Sequence, residues 1–225
     1  MAEPWRGDLW GDSENIIGGA RLMILGESHH SAEHAVGSYV PNMTQDVVQA
    51  YLEGKLGKTG KFFANVERLV TGSRDKPLTR EQSDAFWRSV VFYNYIPVVA
   101  ASKPNSRPLP EMWEGDTPRI FFDAVKRSEA EIILVCGRDL WRRKKHHVTI
   151  PAAYNIAGRS FEAHEINWSD NYGAVAAHIL HPSGSRGWTF DANVPVVNYL
   201  FDELGRRRQV RGEPTLPDWK SALRL

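Results

Sequence analysis

Side chains able to do chemistry collect at three points of this chain. Glu27, Ser28, His29 and His30 directly follow the apolar run Leu22-Met23-Ile24-Leu25-Gly26, so a carboxylate, a hydroxyl and two imidazoles share one loop. His181-Pro182-Ser183-Gly184 follows a second apolar run, Ala174 to Leu180, and Asn94 closes a third, Ser89 to Tyr95. A carboxylate can orient or deprotonate water, an imidazole can donate or accept a proton near neutrality, and an amide can read a polar edge. Glu27, His29, His30 and His34 also supply donor types that zinc accepts, although adjacent histidines seldom point at one ion.

The elements needed to bring these groups together are legible. A strand that stops at glycine and runs into polar residues is how open α/β sheets place ligands at the carboxyl ends of their strands. Four such strands are expected: Leu22–Leu25, Ser89–Tyr95, Ala130–Gly137 and Ala174–Leu180. Helices are expected from an N-cap at Thr44, with Val47, Val48, Tyr51 and Leu52 on one face, over Phe62–Val70, and after a capping box formed by Thr79 and Gln82. Two more span Pro118–Ser128 and Val194–Leu204. Four prolines between 97 and 110 predict an extended loop, and residues 148–168 a hairpin or irregular excursion. Strands joined by helices imply a parallel sheet between helical layers.

Composition narrows the classes. A chain of 225 residues can bury a full core as one domain, with 1–19 as a loosely packed N-terminal arm and 205–225 as a frayed basic tail. The single cysteine, Cys136, lies within IILVCG and is expected in the core; alone it forms neither an intramolecular disulfide nor an iron–sulfur cluster. No apolar run nears the roughly 20 residues of a membrane helix, and the N-terminus lacks a secretory apolar segment, so a cytoplasmic protein without a membrane partner is expected. Lys and Arg number 28 against 27 Asp and Glu, so an anionic partner must meet a local patch. Arg142-Arg143-Lys144-Lys145, at the end of the third strand, is such a patch; Arg206-Arg207-Arg208 reads as a solvated face.

GESHH after the first strand, Asn94 after the second and HPSG after the fourth together resemble the uracil-DNA glycosylase superfamily, over roughly residues 20–204. The resemblance implies a three-layer α/β/α sandwich with a four-stranded parallel central sheet, and cleavage of the bond between a damaged or modified base and deoxyribose. It implies that His181 stabilises charge on the leaving base and that Asn94 reads the base edge. Gly26 and Glu27 look like the opening of the first family motif, where an acidic residue places the attacking water. Ser28, His29 and His30 then line the base pocket, and Tyr39 stacks on the base. Ser183, Gly184, Arg186 and Trp188 probe the DNA as a wedge or clamp, with Arg142, Arg143, Lys144 and Lys145 as phosphate contacts. DNA is the implied partner of a monomer, with no cofactor and no metal, in repair or in defence against foreign DNA.

This chain departs from the family pattern in its first motif. Ser28 replaces the aspartate of the classical uracil enzymes, and His29 and His30 replace the proline and its neighbour, which points to a substrate other than uracil, such as a modified pyrimidine. Two rival readings remain at this level. GESHHSAEH is similar to the loop of erythromycin-esterase-like hydrolases, with a metal-dependent hydrolase as a related option, and an inert nucleic-acid-binding member would carry the same motifs without catalysis.

Overall fold

Five successive buried residues, Leu22 to Gly26, form the strand at the centre of the molecule. In this computed structural model residues 3–103, 106–145, 147–156, 159–184 and 187–216 are described, without the side chains of 151–160. In chain order the elements begin β1 (Trp5–Arg6), β2 (Leu22–Gly26), β3 (His29–His30), α1 (Met43–Leu52), α2 (Lys61–Thr71), α3 (Arg80–Arg88) and β4 (Val91–Asn94). They continue β5 (Val99–Ala101), α4 (Thr117–Ser128), β6 (Ile132–Cys136), α5 (Arg138–Arg143), β7 (Val148–Ile156), β8 (Arg159–Asn167), β9 (Gly173–Ile179) and α6 (Phe190–Arg211).

The four expected strands are present, but the sheet has seven, in the order β1-β4-β2-β6-β9-β8-β7. Its four central strands, β4, β2, β6 and β9, run parallel. Antiparallel strands extend it on both sides: β1 against β4, and the β7–β8 hairpin against β9. The two-residue β3 pairs separately with β5. Alternation along the central strands feeds two cores. Leu22, Ile24, Leu134 and Ile179 pack under α1, α2, α3 and α6, while Met23, Leu25, Ile133 and Val135 pack under α4 and α5. The sheet is therefore flanked by helices on both faces.

Thr79 and Gln82 form the expected capping box, and Pro118 sits in the first turn of α4. Thr44 is not an N-cap. Asn42, in a left-handed conformation at φ 62°, precedes the helix, and Thr44 is buried inside its first turn. Residues 3–19 are no loose arm either. The indole of Trp5 donates to Trp87 O at 2.8 Å, that of Trp10 to Ser128 O at 3.0 Å, and Ile17 is fully buried. Likewise the described part of the tail is not frayed from Arg206. Capped by Thr189 at its start, α6 runs through Arg211, and Arg207 and Arg208 pair with Glu165 and Glu131 across 42 and 77 residues of sequence. No helix among the described residues is long and apolar enough to cross a membrane.

Candidate active site

Register brings the chemistry to one edge. Gly26 of β2 stands beside Asn94 of β4, and Cys136 of β6 beside Ile179 of β9, so the loops after Gly26, Asn94, Cys136 and Ile179 leave the sheet together. His181 lies over Gly137, its Cδ2 being 3.6 Å from where a Cβ on that glycine would sit.

His181 is held by a frame of asparagines and backbone. Asn65 of α2 donates to Pro182 O at 2.6 Å, and Asn193 of α6 accepts from Leu180 N at 2.9 Å, so both helices clamp the turn. The backbone N–H of Ser183 donates to His181 Nδ1 at 3.3 Å. Nδ1 is thus the acceptor, and a neutral ring then carries its proton on Nε2. Burial lowers the pKa of His181, with Arg107 and His30 adding like-charge repulsion, which keeps the ring neutral at physiological pH. The Phe62 ring supports it at 5.6 Å between centroids.

Glu27 has only 18 % of its side chain exposed, and burial raises its pKa. Arg107, at 3.8 Å, opposes that rise, Asp139 adds to it, and Arg143 opposes it again. The Arg107 guanidinium sits closer to Asp139, at 2.6 Å, than to Glu27. Asp139 thereby draws the cation away from Glu27.

Gly26, Asn94 and His29 form the wall behind these groups. A side chain at Gly26 would collide with Asn94 Oδ1, so only glycine admits the amide. Asn94 Nδ2 lies 3.1 Å and 3.3 Å from Nε2 and Nδ1 of His29, and His29 Nε2 lies 3.0 Å from Thr44 Oγ1. Buried among these partners, His29 has its pKa lowered to about 4. Asn94, 6 % exposed, fastens the wall from within. His30 is exposed, and Ser28 Oγ is buried with no hydrogen-bond partner among the described residues.

Other expected site residues lie elsewhere or differently. Tyr39, 44 % exposed, lies toward Tyr93, whose hydroxyl feels it together with Arg127 and Glu3. Trp188 packs edge-on against Phe190 at 4.9 Å with its indole N–H buried. Ser183 and Gly184 are exposed in the His181 turn, and Arg186 lies outside the described residues. In the basic run, Arg142, Arg143 and Lys145 are exposed, with Arg143 over the Trp113 ring at 5.0 Å. Lys144 is not available for a phosphate contact: it is 1 % exposed, turned onto Trp141 and His164 because that side chain faces the sheet.

Sequence reading missed Arg107, Asp139, Asn65 and Asn193. Arg107 lies in a proline-rich loop without periodicity and Asp139 in a six-residue helix, so neither had a local signal. The two asparagines did: a poor helix former set among the apolar residues of a helix asks for a polar partner. No three His, Cys, Asp or Glu among the described residues converge to hold an ion, and His29 is engaged by Thr44 and Asn94. No protein-family model matches the chain, and no curated protein matches it.

Proposed function

We propose that the chain is a DNA glycosylase with a uracil-DNA-glycosylase-like α/β/α architecture, which hydrolyses the N-glycosidic bond of an extruded modified base. The observation that carries the reading is the bond from Ser183 N–H to His181 Nδ1, which leaves Nε2–H as a fixed neutral donor at the same edge as a half-buried carboxylate. The resemblance of GESHH, Asn94 and HPSG to the superfamily and the three parallel strands, β2, β4 and β9, that lead into these residues support it.

In this mechanism Glu27 accepts a hydrogen bond from a water on the sugar side, and the water oxygen bonds to C1′ as the C1′–N bond breaks. The bonding pair leaves with the base, where His181 Nε2–H stabilises the negative charge on a carbonyl oxygen. Glu27 takes the water proton, which then returns to the departing base. A base inside the stack cannot be reached, so extrusion, at a cost of a few kcal/mol, precedes chemistry. A neutral donor suits the role because it strengthens its bond as charge develops without needing a proton from solvent. Arg142, Arg143 and Lys145 flank the mouth as phosphate contacts. The two histidines after Ser28 favour a substituted pyrimidine over uracil.

Oligonucleotides carrying uracil, hypoxanthine or substituted cytosines test the reading. Release of one base class by the parent and its loss in Glu27→Gln support it. Intact glycosidic bonds in every substrate, with DNA still bound, would make the chain a binding module.

A further inference from the structure

From the end of α1 to the first residue of α2 the segment Gly54-Lys55-Leu56-Gly57-Lys58-Thr59-Gly60-Lys61 intersperses glycine and lysine. All three lysines are exposed. Lys55 pairs with Glu53, whereas Lys58 and Lys61 have no acidic partner among the described residues. An open groove floored by Tyr51, Leu56 and Ala64 lies beneath them. This patch is continuous with the candidate site. Lys61 Nζ lies 2.9 Å from where a Cβ on Gly184 would sit, the next residue, Phe62, packs on His181, and Asn65 of the same helix holds Pro182. Gly184, at φ 98°, is thus confined both by its backbone and by the ammonium above it.

In a chain whose opposite charges nearly balance, two unpaired ammonium groups beside an apolar groove are a local anion surface rather than part of a general field. Lys61 lines this groove and also reaches Gly184 in the turn that carries His181, so an anion bound there belongs to whatever chain the site holds. We infer that the Gly54–Lys61 loop grips the phosphodiester backbone of a nucleic acid next to the nucleotide held at His181. It rests on the proposed reading for the identity of that nucleotide, but not for the binding itself. The α5 arginines approach from the opposite face of the sheet, so the two surfaces would straddle the extruded nucleotide.

Fluorescence anisotropy of a labelled 20-mer, single-stranded and duplex, across a salt series tests the inference. The full chain is compared with Lys58→Gln/Lys61→Gln and with a charge-matched control, Lys76→Gln/Lys126→Gln, all four lysines being exposed. Loss of about tenfold in affinity in the first variant only is expected. The slope of log K against log salt should flatten by about 1.8 for duplex or about 1.4 for single strand, two phosphate contacts being removed. Equal behaviour of the two variants, no binding by the parent, or an effect confined to phosphatidylserine vesicles would overturn it. Base release is scored separately: binding that depends on these lysines without any base release refutes only the glycosylase reading, and base release with binding indifferent to them refutes only this inference.

Discussion

Two regions of the molecule collect histidines, and they differ in how the rings are partnered. At the carboxyl edge, His29, His30 and His181 stand with Glu27, and the two less exposed rings have assigned partners: Ser183 N–H on His181, Thr44 and Asn94 on His29. Beside α5 and the β8–β9 side of the sheet, Trp141, His164 and His147 stack face to face at 3.6 Å and 3.7 Å, with His178 alongside at 5.0 Å. Lys144 is pressed onto that stack, 4.3 Å from the Trp141 ring centroid. Burial lowers His147 and His178 to about 4, His164 to about 3 and Lys144 to about 7. Among the described residues burial and neighbouring cations, not a carboxylate, shift them, and stacked rings cannot aim their nitrogens at a common atom. Depressed basicity is therefore common to both regions. What separates them is that the edge pairs a donor of fixed tautomer with a carboxylate and opens to solvent, whereas the stack spends its ring faces on packing.

That contrast can be broken most strongly by exchanging the losses. His181→Ala should reduce base release by about 10²–10³-fold, the usual cost of removing one fixed donor to developing charge, with little change in melting temperature. Trp141→Ala should do the reverse, lowering stability by about 3–5 kcal/mol as expected for a large buried ring, while the folded fraction keeps its rate. Both are read from initial rates beside denaturant melts. Next in size, Asn65→Ala frees Pro182 and lets the His181 turn shift, so kcat should fall about tenfold to a hundredfold at nearly constant KM, and Asn65→Asp should not restore it, because a carboxylate cannot donate to Pro182 O.

Acid should unfold the stacked region first. The histidines of the stack bind protons in the unfolded chain near 6.5 but only near 3 to 4 when folded, so the unfolded state takes up protons first and stability falls as pH drops from about 6.5 toward 4. Lys144 acts over a higher window: folded near 7 and unfolded near 10.5, it makes stability rise with pH between those values. Lys144→Met should flatten that alkaline rise, as followed by chemical denaturation at fixed temperature. The smallest effect is expected at Asp139. Asp139→Asn removes a like charge from Glu27 and releases Arg107 toward it, both of which lower the Glu27 pKa, so the acid limb of the rate–pH profile should move to lower pH; Arg107→Ala should move it up.

The four parallel strands, their polar ends and the Thr79 capping box were legible because each is written in a short window of sequence. The meeting of Glu27 and His181 at one edge was legible for the same reason, since each follows an apolar run. What escaped depends on contacts far apart in the chain. Trp5 and Trp10 look like residues of a polar arm until their indoles are seen to cap backbone 82 and 118 residues away. Arg207 and Arg208 look solvated until Glu165 and Glu131 are brought beside them, while Arg206 stays exposed as expected. Lys144 is indistinguishable by composition from its basic neighbours, and only the turn after α5 sends it inward while they stay in solvent.

Nitrogen NMR of the labelled imidazoles across a pH series tests most directly whether the edge and the stack differ as described. His181 should keep its proton on Nε2 down to a pH below the ordinary histidine value, and His164 should remain neutral through the same range without any response to added DNA. A His181 ring protonated on Nδ1, or a cation at neutral pH, would contradict the account.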